Sequence, residues 1–340
     1  MGDQLKVLIL AAEVVPFAKT GGLADVTGAL PKALRALGHD VRVAMPRYGQ
    51  IDRMTFGLQP VSAPYPVPLD NSQEEATLLE GRISSRHGDV PIYFIEQPRL
   101  YERDGIYMYP DDAERFIFFC RAALEGMRVL GWQPDVIHCH DWHTAIVPNW
   151  LKTIYRQDPF FERTASVYTI HNLAYQGIFG YRVLEVAGLA AYGFIVHPDI
   201  PHLNDVVDFM GRGIYYADII NTVSETYAQE ILTPQCGEGL DPLLRDRRDR
   251  LFGVLNGVDY EIFNPETDPL LPATYSRSNL EGKARCKQAL QRQFGLEERS
   301  EAPLIGAVSR LSDHKGFDLI AAIIVTVFQQ TEAQLVIAGT

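Results

Sequence analysis

The segments Val7-Leu-Ile-Leu-Ala-Ala12 and Lys19-Thr-Gly-Gly-Leu-Ala-Asp-Val26 decide the fold of this chain. The first segment is an uninterrupted apolar run, which is typical of a buried parallel strand. The second opens the segment Leu23 to Leu37, whose apolar residues recur at the spacing of an amphipathic helix. A strand, a glycine turn and a helix in this order place the backbone N–H groups of a helix N-terminus where they can meet an anion.

The rest of the chain continues the alternation of strand and helix. This order predicts an α/β fold with a mostly parallel sheet. We expect further strands at Asp40–Pro46, Ala76–Ser84, Val90–Glu96, Val136–Cys139, Ala165–Ile170, Ile219–Val223 and Gly253–Asp259, and helices at Asp112–Leu130, Trp142–Tyr155 and from a cap at Ser224 through Ile231.

The pattern predicts a boundary between two domains. Residues 1–258 form the first, and residues 259–300, rich in Pro, Asp, Thr and Arg and helical near Leu280–Phe294, form a crossover. Residues 301–340 begin a second domain with one strand–helix–strand unit. The unit is predicted at Leu304–Ser309, Phe317–Phe328 and Gln334–Ala338. A dinucleotide-type half domain needs several such units, so we expect the second domain to be incomplete in this sequence.

Bulk properties exclude several classes of protein. The chain has 340 residues, which favours two domains, and its net charge of -12 argues against nucleic acid as the main partner. No apolar stretch is long enough to span a bilayer, so we expect no membrane association. The four cysteines are scattered and form neither a CxxC pair nor a disulfide framework. With no room for a targeting peptide before the first strand, these features predict a protein of the reducing cytoplasm.

The glycine pair Gly21-Gly22 is weak evidence when taken alone. Such pairs also occur where a helix packs tightly on a strand. Lys19 just before them adds a positive charge and favours the anion-binding interpretation, although a solvated surface lysine is the usual alternative. The pattern is neither a Walker A motif nor G-x-G-x-x-G, so a nucleotide hydrolase or an NAD enzyme is poorly supported.

The run His138-Cys-His-Asp-Trp-His143 has two interpretations. His138 and His140 would share one face of a strand, which suits zinc. Alternatively, the run is the carboxyl end of a strand whose polar side chains face a ligand crevice. We favour the second interpretation because no His or Cys partner follows at ligand spacing. Asp141 and Trp142 would then bond to and stack on a sugar ring.

Two further clusters carry possible binding groups. In Tyr168-Thr-Ile-His-Asn-Leu-Ala-Tyr-Gln-Gly177, the side chain of His171 either caps the following turn or, in its neutral form, donates to a sugar hydroxyl. Arg310 and Lys315 lie a few residues apart in the first loop of the second domain. They either converge on a diphosphate or belong to a solvated loop, and their spacing does not decide between the two.

Together these motifs resemble the bacterial glycogen synthase and plant starch synthase family. The matching segments, in chain order, are Lys19–Val26, His140–His143, His171–Gly177, Tyr216–Asp218, Gly253–Asp259 and Ser309–Leu311 with Lys315-Gly316. The resemblance implies a glycosyltransferase-B fold with two Rossmann-like domains. It also implies transfer of glucose from ADP-glucose to the non-reducing end of an α-1,4-glucan, glycogen or a maltooligosaccharide, with retention. Neither a cofactor nor a metal is implied.

The resemblance also implies roles for individual residues. His171 would contact the donor glucose, and Arg310 and Lys315 would bind the diphosphate, so these three are the expected catalytic residues. The residues expected to bind ADP-glucose are Lys19, Gly21, Gly22, Asp25, Asp141, Trp142, Asn172 and Asn256. Residues 1–258 would be the catalytic domain, and residues 301–340 the start of the nucleotide-sugar-binding domain.

The sequence departs from the family pattern in two ways. The family's adenine pocket and acidic motif would follow residue 340, so we expect the chain to be inactive alone. Gly211, with Arg212 after it, stands where the family commonly carries a lysine. Two alternatives stay open: a non-catalytic glucan-binding fragment, and a related transferase that uses UDP-glucose, because no residue identified here reads the nucleotide base.

Overall fold

The computed structural model describes residues 4–312 and 315–339. The chain divides into two compact units, Met1–Val258 and Asp259–Thr340. The predicted roles of the two units remain predictions: a catalytic domain for the first and a nucleotide-sugar-binding domain for the second.

The first unit is built on one large mixed sheet. Its strands are β1 (Lys6–Leu10), β2 (Asp40–Pro46), β3 (Gln59–Pro60), β4 (Tyr65–Leu69), β5 (Ser72–Ile83), β6 (Val90–Glu96), β7 (Val136–His140), β8 (Ala165–Ile170), β11 (Ile219–Thr222) and β12 (Leu251–Gly253), and a separate ribbon pairs β9 (Ile178–Phe179) with β10 (Val207–Asp208). The sheet order is β12-β11-β8-β7-β1-β2-β6-β5-β3, with β4 paired to β5. Strands β12 through β6 in this order are parallel, and β5, β3 and β4 add an antiparallel edge.

Helices cover the sheet of the first unit. They are α1 (Gly22–Ala36), α2 (Pro98–Tyr101), α3 (Asp112–Val129), α4 (Asp141–Thr144), α5 (Ile146–Lys152), α6 (Arg182–Val186), α7 (Phe209–Tyr216), α8 (Glu225–Glu230) and α9 (Asp241–Asp246), with short 3₁₀ turns at Ala190–Tyr192, Pro201–Asn204 and Arg248–Arg250. Leu8, Ile9 and Leu10 of β1 have no exposed surface. A central strand buried on both faces is expected of a parallel sheet between helical layers, which confirms the predicted α/β fold.

The second unit contains α10 (Glu281–Gln293), β13 (Leu304–Val308), α11 (Phe317–Gln330) and β14 (Gln334–Ala338). Strands β13 and β14 pair in parallel, so the predicted strand–helix–strand unit is present. Nowhere in the ranges 4–312 and 315–339 is there a helix long and apolar enough to cross a membrane.

Two element predictions need correction. The expected strand Gly253–Asp259 is wrong, because only Leu251–Gly253 pair with β11 and the chain beyond them is irregular. The expected helix Trp142–Tyr155 is divided into α4 and α5. Pro148 has no N–H to bond to the carbonyl four residues earlier, so a continuous helix is disfavoured here.

Strand β4 was not predicted. Its Pro66 and Pro68 are exposed and disguise a strand whose Tyr65, Val67 and Leu69 are buried. Proline is tolerated at such a position because an edge strand does not need every N–H for pairing.

Candidate active site

The candidate site lies where the direction of strand addition reverses. From β1, the chain adds β2 and β6 on one side of the sheet and β7 and β8 on the other. In open α/β sheets, ligands bind outside the carboxyl ends of the strands at this switch point. The segments that follow β1, β7 and β8 are Glu13–Gly22, Asp141–His143 and His171–Gly177.

Glu13 organises the segment after β1. Its side chain is buried, with 3% of the residue exposed. The carboxylate accepts hydrogen bonds from the backbone N–H groups of Thr20 and Gly21, from the Thr20 hydroxyl at 2.7 Å and from the Tyr107 hydroxyl at 2.6 Å. The sequence analysis missed Glu13. An acidic residue directly after a buried strand was the available signal.

The glycines of this turn face open space. A Cβ built on Gly21 or Gly22 would meet no atom within 4 Å among the described residues. Gly21 has φ −153°, an extended conformation that any residue adopts. Tight packing therefore does not explain the glycine pair, and the open space suits a ligand that approaches the backbone closely.

Lys19 and Asp25 form an ion pair beside the start of α1. Nζ of Lys19 lies 2.6 Å from Oδ1 of Asp25, and the side chains are 49% and 41% exposed. Such an exposed pair adds little to stability. It does place the Lys19 ammonium near the positive end of the α1 dipole, where an anion would be attracted by both.

Asp141 joins the segments after β7 and β8. Its backbone is left-handed, with φ 54°. Its Oδ1 accepts the backbone N–H of His171 at 2.8 Å. Burial raises the pKa of the Asp141 carboxyl, while the nearby His171 ring and the hydrogen bonds oppose this shift. The strained backbone thus turns a carboxylate toward the start of the next segment.

Trp142 supports the segment His171–Gly177 by packing. Gly177 has φ 69°, and a Cβ there would lie 2.6 Å from the Trp142 ring. The indole also contacts His143 and Phe179. The Trp142 ring therefore serves as a platform for this turn.

Three histidines form one cluster at the ends of β7 and β8. Nδ1 of His140 lies 2.9 Å from Nε2 of His171, and the ring of His138 stacks on His140 with centroids 4.2 Å apart. Burial lowers the pKa of His138 to about 3, lowers that of His140 well below its ordinary value, and lowers that of His171. The cluster is therefore neutral near pH 7.

The zinc interpretation finds no geometric support in this cluster. Nε2 of His138 is 2.6 Å from the Thr169 hydroxyl, so one of its two nitrogens already has a partner. Within residues 4–312 and 315–339, no three His, Cys, Asp or Glu side chains are grouped so that they could hold a metal ion.

The remaining predicted residues lie in more exposed positions. Oδ1 of Asn172 accepts the N–H of Ala174 at 3.0 Å and so stabilises its own turn. Asn256 is exposed in the irregular segment after β12. Arg310 and Lys315 are exposed in the loop between β13 and α11, which is folded by bonds from Ser312 N–H to the Arg310 carbonyl and from Lys315 N–H to the Ser312 carbonyl. The structure brings Asp141, Trp142, His171 and Asn172 together.

Comparison with known proteins identifies the family. Residues 6–246 match the family model described as the starch synthase catalytic domain. The chain belongs to the starch synthase catalytic domain family. It is accordingly a glycosyltransferase of the glucan synthase class, with the glycosyltransferase-B fold.

Individual members of the starch synthase family agree with this assignment. The glycogen synthase of Moorella thermoacetica is 46% identical over 100% of this chain and 68% of its own length. Glycogen synthase 1 of Geobacter metallireducens is 45% identical over 94% of this chain and 64% of its own length. The chain thus spans about two thirds of these relatives.

A solved structure of the starch synthase family also matches. The catalytic domain of starch synthase IV from Arabidopsis thaliana, bound to ADP and acarbose, superimposes with a TM-score of 0.90 and 34% identity. The match covers 99% of this chain and 69% of that chain.

The departure at Gly211 from the starch synthase pattern has a clear local structure. Asp208 caps α7, its Oδ1 accepting the N–H of Gly211 at 2.8 Å, and burial raises the pKa of Asp208 to about 7. Arg212 is buried and donates to Oδ1 of Asn149 at 2.7 Å and to the carbonyl of Gly193 at 2.5 Å. The Arg212 guanidinium therefore binds within the core of the first unit.

Proposed function

We propose that this protein transfers glucose from ADP-glucose to the non-reducing end of an α-1,4-glucan, glycogen or a maltooligosaccharide, with retention. The observation that carries the proposal is the cluster of Asp141, Trp142 and His171 beside the glycine turn at the switch point. The relatives named glycogen synthase and the starch synthase IV structure with ADP and acarbose support it. The bacterial origin of the relatives named glycogen synthase and the scattered cysteines support a bacterial cytoplasmic location.

The anionic part of the donor has two candidate sets of partners. In the first unit, the Lys19 ammonium, which is paired with Asp25, lies near the N-terminal N–H groups of α1, and a donor phosphate would compete with Asp25 for it. In the second unit, Arg310 and Lys315 are exposed cations. Binding to these cations would stabilise the charge that grows on the departing nucleoside diphosphate.

The sugar would be held by the neutral cluster. Trp142 and Gly177 shape the turn that carries His171, and the neutral imidazole can donate one hydrogen bond to a sugar hydroxyl. The buried Asp141 carboxylate is already bonded to the His171 backbone and is not presented as a nucleophile. We therefore propose that departure of the diphosphate accompanies attack by the glucan hydroxyl on the same face of the sugar, with the hydroxyl proton passing to the departing phosphate oxygen and the protein positioning both groups.

The test measures transfer of radiolabelled glucose into glycogen. The 340-residue chain is compared with a chimera that adds the part of the Moorella glycogen synthase not matched by this chain, using ADP-glucose and UDP-glucose in parallel. We expect activity with ADP-glucose in the chimera, a loss of at least about a hundredfold in Arg310→Ala, and no efficient turnover by the chain alone. Preference for UDP-glucose would overturn the donor assignment. Glucan binding without transfer in either form would favour the binding-module alternative.

A further inference from the structure

The contact between His140 and His171 requires one proton to lie between two ring nitrogens. Nδ1 of His140 and Nε2 of His171 are 2.9 Å apart. Both rings are neutral near pH 7 because burial disfavours their charged forms. In a pair of neutral imidazoles, one ring donates and the other accepts, so the direction of this bond fixes the tautomer of each ring.

The surroundings of His140 decide the direction. His140 has no exposed surface, and its Nε2 is enclosed without a hydrogen-bond partner among the described residues. If His140 accepted the bond, its own proton would sit on this enclosed Nε2 as an unpaired N–H group. Buried N–H groups without an acceptor are rarer in proteins than acceptors with an unused lone pair. The lower-energy arrangement therefore leaves Nε2 bare and places the proton on Nδ1.

His140 is also held in place from several directions. Its ring stacks on His138, whose Nε2 is bonded to the Thr169 hydroxyl. Its backbone N–H donates to the Thr144 hydroxyl at 2.6 Å, and that hydroxyl lies 2.9 Å from the His140 carbonyl. The Thr144 bonds fix the backbone at the end of β7, and the ring itself is stacked and has no exposed surface, so turning it would disturb its packing.

We propose that His140 is a positioning residue that donates from Nδ1 to Nε2 of His171 and so keeps the proton of His171 on Nδ1. His171 then offers a ligand only a hydrogen-bond donor, which fits a hydroxyl oxygen or a phosphate oxygen of the donor substrate. It does not offer a bare nitrogen that would remove a proton from the acceptor hydroxyl. The catalytic meaning of this inference rests on the proposed function, whereas the tautomer itself does not.

The tautomer can be measured without any substrate. Long-range ¹H–¹⁵N spectra of the 340-residue chain labelled with [¹⁵N]histidine distinguish a protonated ring nitrogen from a bare one, and His171→Gln assigns the signal. We expect His171 with a protonated Nδ1 and a bare Nε2. In His140→Leu, which removes the donor, we expect protonated Nε2 to increase. A wild-type His171 that carries its proton on Nε2 would overturn the proposal.

Kinetics of the chimera test the consequence for the reaction. In His140→Asn the side-chain amide N–H can take the place of Nδ1–H, so we expect kcat/KM within about threefold of wild type. In His140→Leu we expect a loss of about tenfold. His197→Leu is the matched control, a buried histidine whose ring contacts Asp246 and the Asp199 N–H, and it should retain wild-type kcat/KM.

The outcomes separate the two proposals. Equal losses in His140→Asn and His140→Leu would overturn the positioning role. If His140→Leu does not fold, the wild-type spectrum and His140→Asn still decide the question. A wild-type chimera without transfer activity would refute the proposed function, while the spectrum would still report the direction of the bond.

Discussion

The two turns that border the candidate site are built in different ways. The glycine turn after β1 is held by hydrogen bonds to one buried carboxylate, that of Glu13, and its glycines face open space. The turn His171–Gly177 after β8 combines hydrogen bonds from the backbone of α7 with close packing, because Gly177 lies directly against the Trp142 ring. Substitution of the glycines in the first turn should therefore affect ligand binding more than stability, and substitution of Gly177 in the second turn should affect stability more than ligand binding.

The packed turn is anchored by α7, and this anchor should depend on pH. The N–H groups of Phe209 and Met210 donate to the carbonyls of Gly177 and Gln176 at 3.0 and 2.9 Å. Burial raises the pKa of the capping Asp208 to about 7. The folded state holds the proton of the Asp208 carboxyl more tightly than the unfolded state does. The contribution of Asp208 to the free energy of unfolding should therefore be fully present below about pH 4. It should be lost as the pH rises to about 7, by on the order of 4 kcal/mol.

Asp208→Asn tests this dependence, because the amide oxygen can still accept the Gly211 N–H. The free energy of unfolding, measured by urea titration across this pH range, should vary less in Asp208→Asn than in wild type. Asp205→Asn, an exposed neighbour, is the control and should follow wild type. Parallel curves for wild type and Asp208→Asn would show that Asp208 is ionised throughout.

Gly177→Ala should disrupt the packed turn itself. The new Cβ would overlap the Trp142 ring, and alanine is strained at φ 69°. We expect a loss of about 3 kcal/mol in the free energy of unfolding. Gly188→Ala has the same φ with nothing within 4 Å, so it should lose only about 1 kcal/mol. Equal losses in the two variants would mean that the contact with Trp142 does not matter.

Glu13→Gln should loosen the glycine turn. The amide keeps one oxygen but replaces the other with a donor that faces the N–H groups of Thr20 and Gly21. We expect a loss of about 2 kcal/mol in the free energy of unfolding of the chain, and weaker ADP binding by the chimera, measured by calorimetry. Glu125→Gln is the control, since that carboxylate also accepts a tyrosine hydroxyl, that of Tyr155 at 2.6 Å, and its loss should leave ADP binding unchanged. Unaltered ADP binding in Glu13→Gln would separate the turn from the ligand.

The sequence was sufficient to predict most of the sheet and the positions of polar residues at its carboxyl edge. Buried parallel strands are rich in apolar residues, so β6 and β8 lie at the predicted residues. The polar residues that follow β7 and β8 were recognised because ligands bind at strand carboxyl ends. The family motifs then supplied individual roles, and those roles remain predictions.

Contacts between distant residues could not be predicted from local pattern. Glu13 is a single acidic residue whose partner Tyr107 is 94 residues away. The bond between His140 and His171 depends on the pairing of β7 with β8, which places the ends of both strands side by side. Local sequence patterns carry no information on such pairing. The edge strand β4 was missed for a different reason, because Pro66 and Pro68 are uncommon in strands.

Gly22→Ala should have the smallest effect on stability and so tests the comparison most directly. Gly22 begins α1, and its missing Cβ would meet nothing within 4 Å. Since alanine favours the helix, we expect a free energy of unfolding equal to wild type or higher by less than about 1 kcal/mol. ADP binding by the chimera should weaken about tenfold, because the methyl group occupies space where a phosphate would approach the backbone. Gly28→Ala in the same helix would place its Cβ 2.9 Å from the Val15 carbonyl oxygen and should instead lose stability. Wild-type ADP affinity in Gly22→Ala would mean that the open space beside the glycine turn is not where the diphosphate binds.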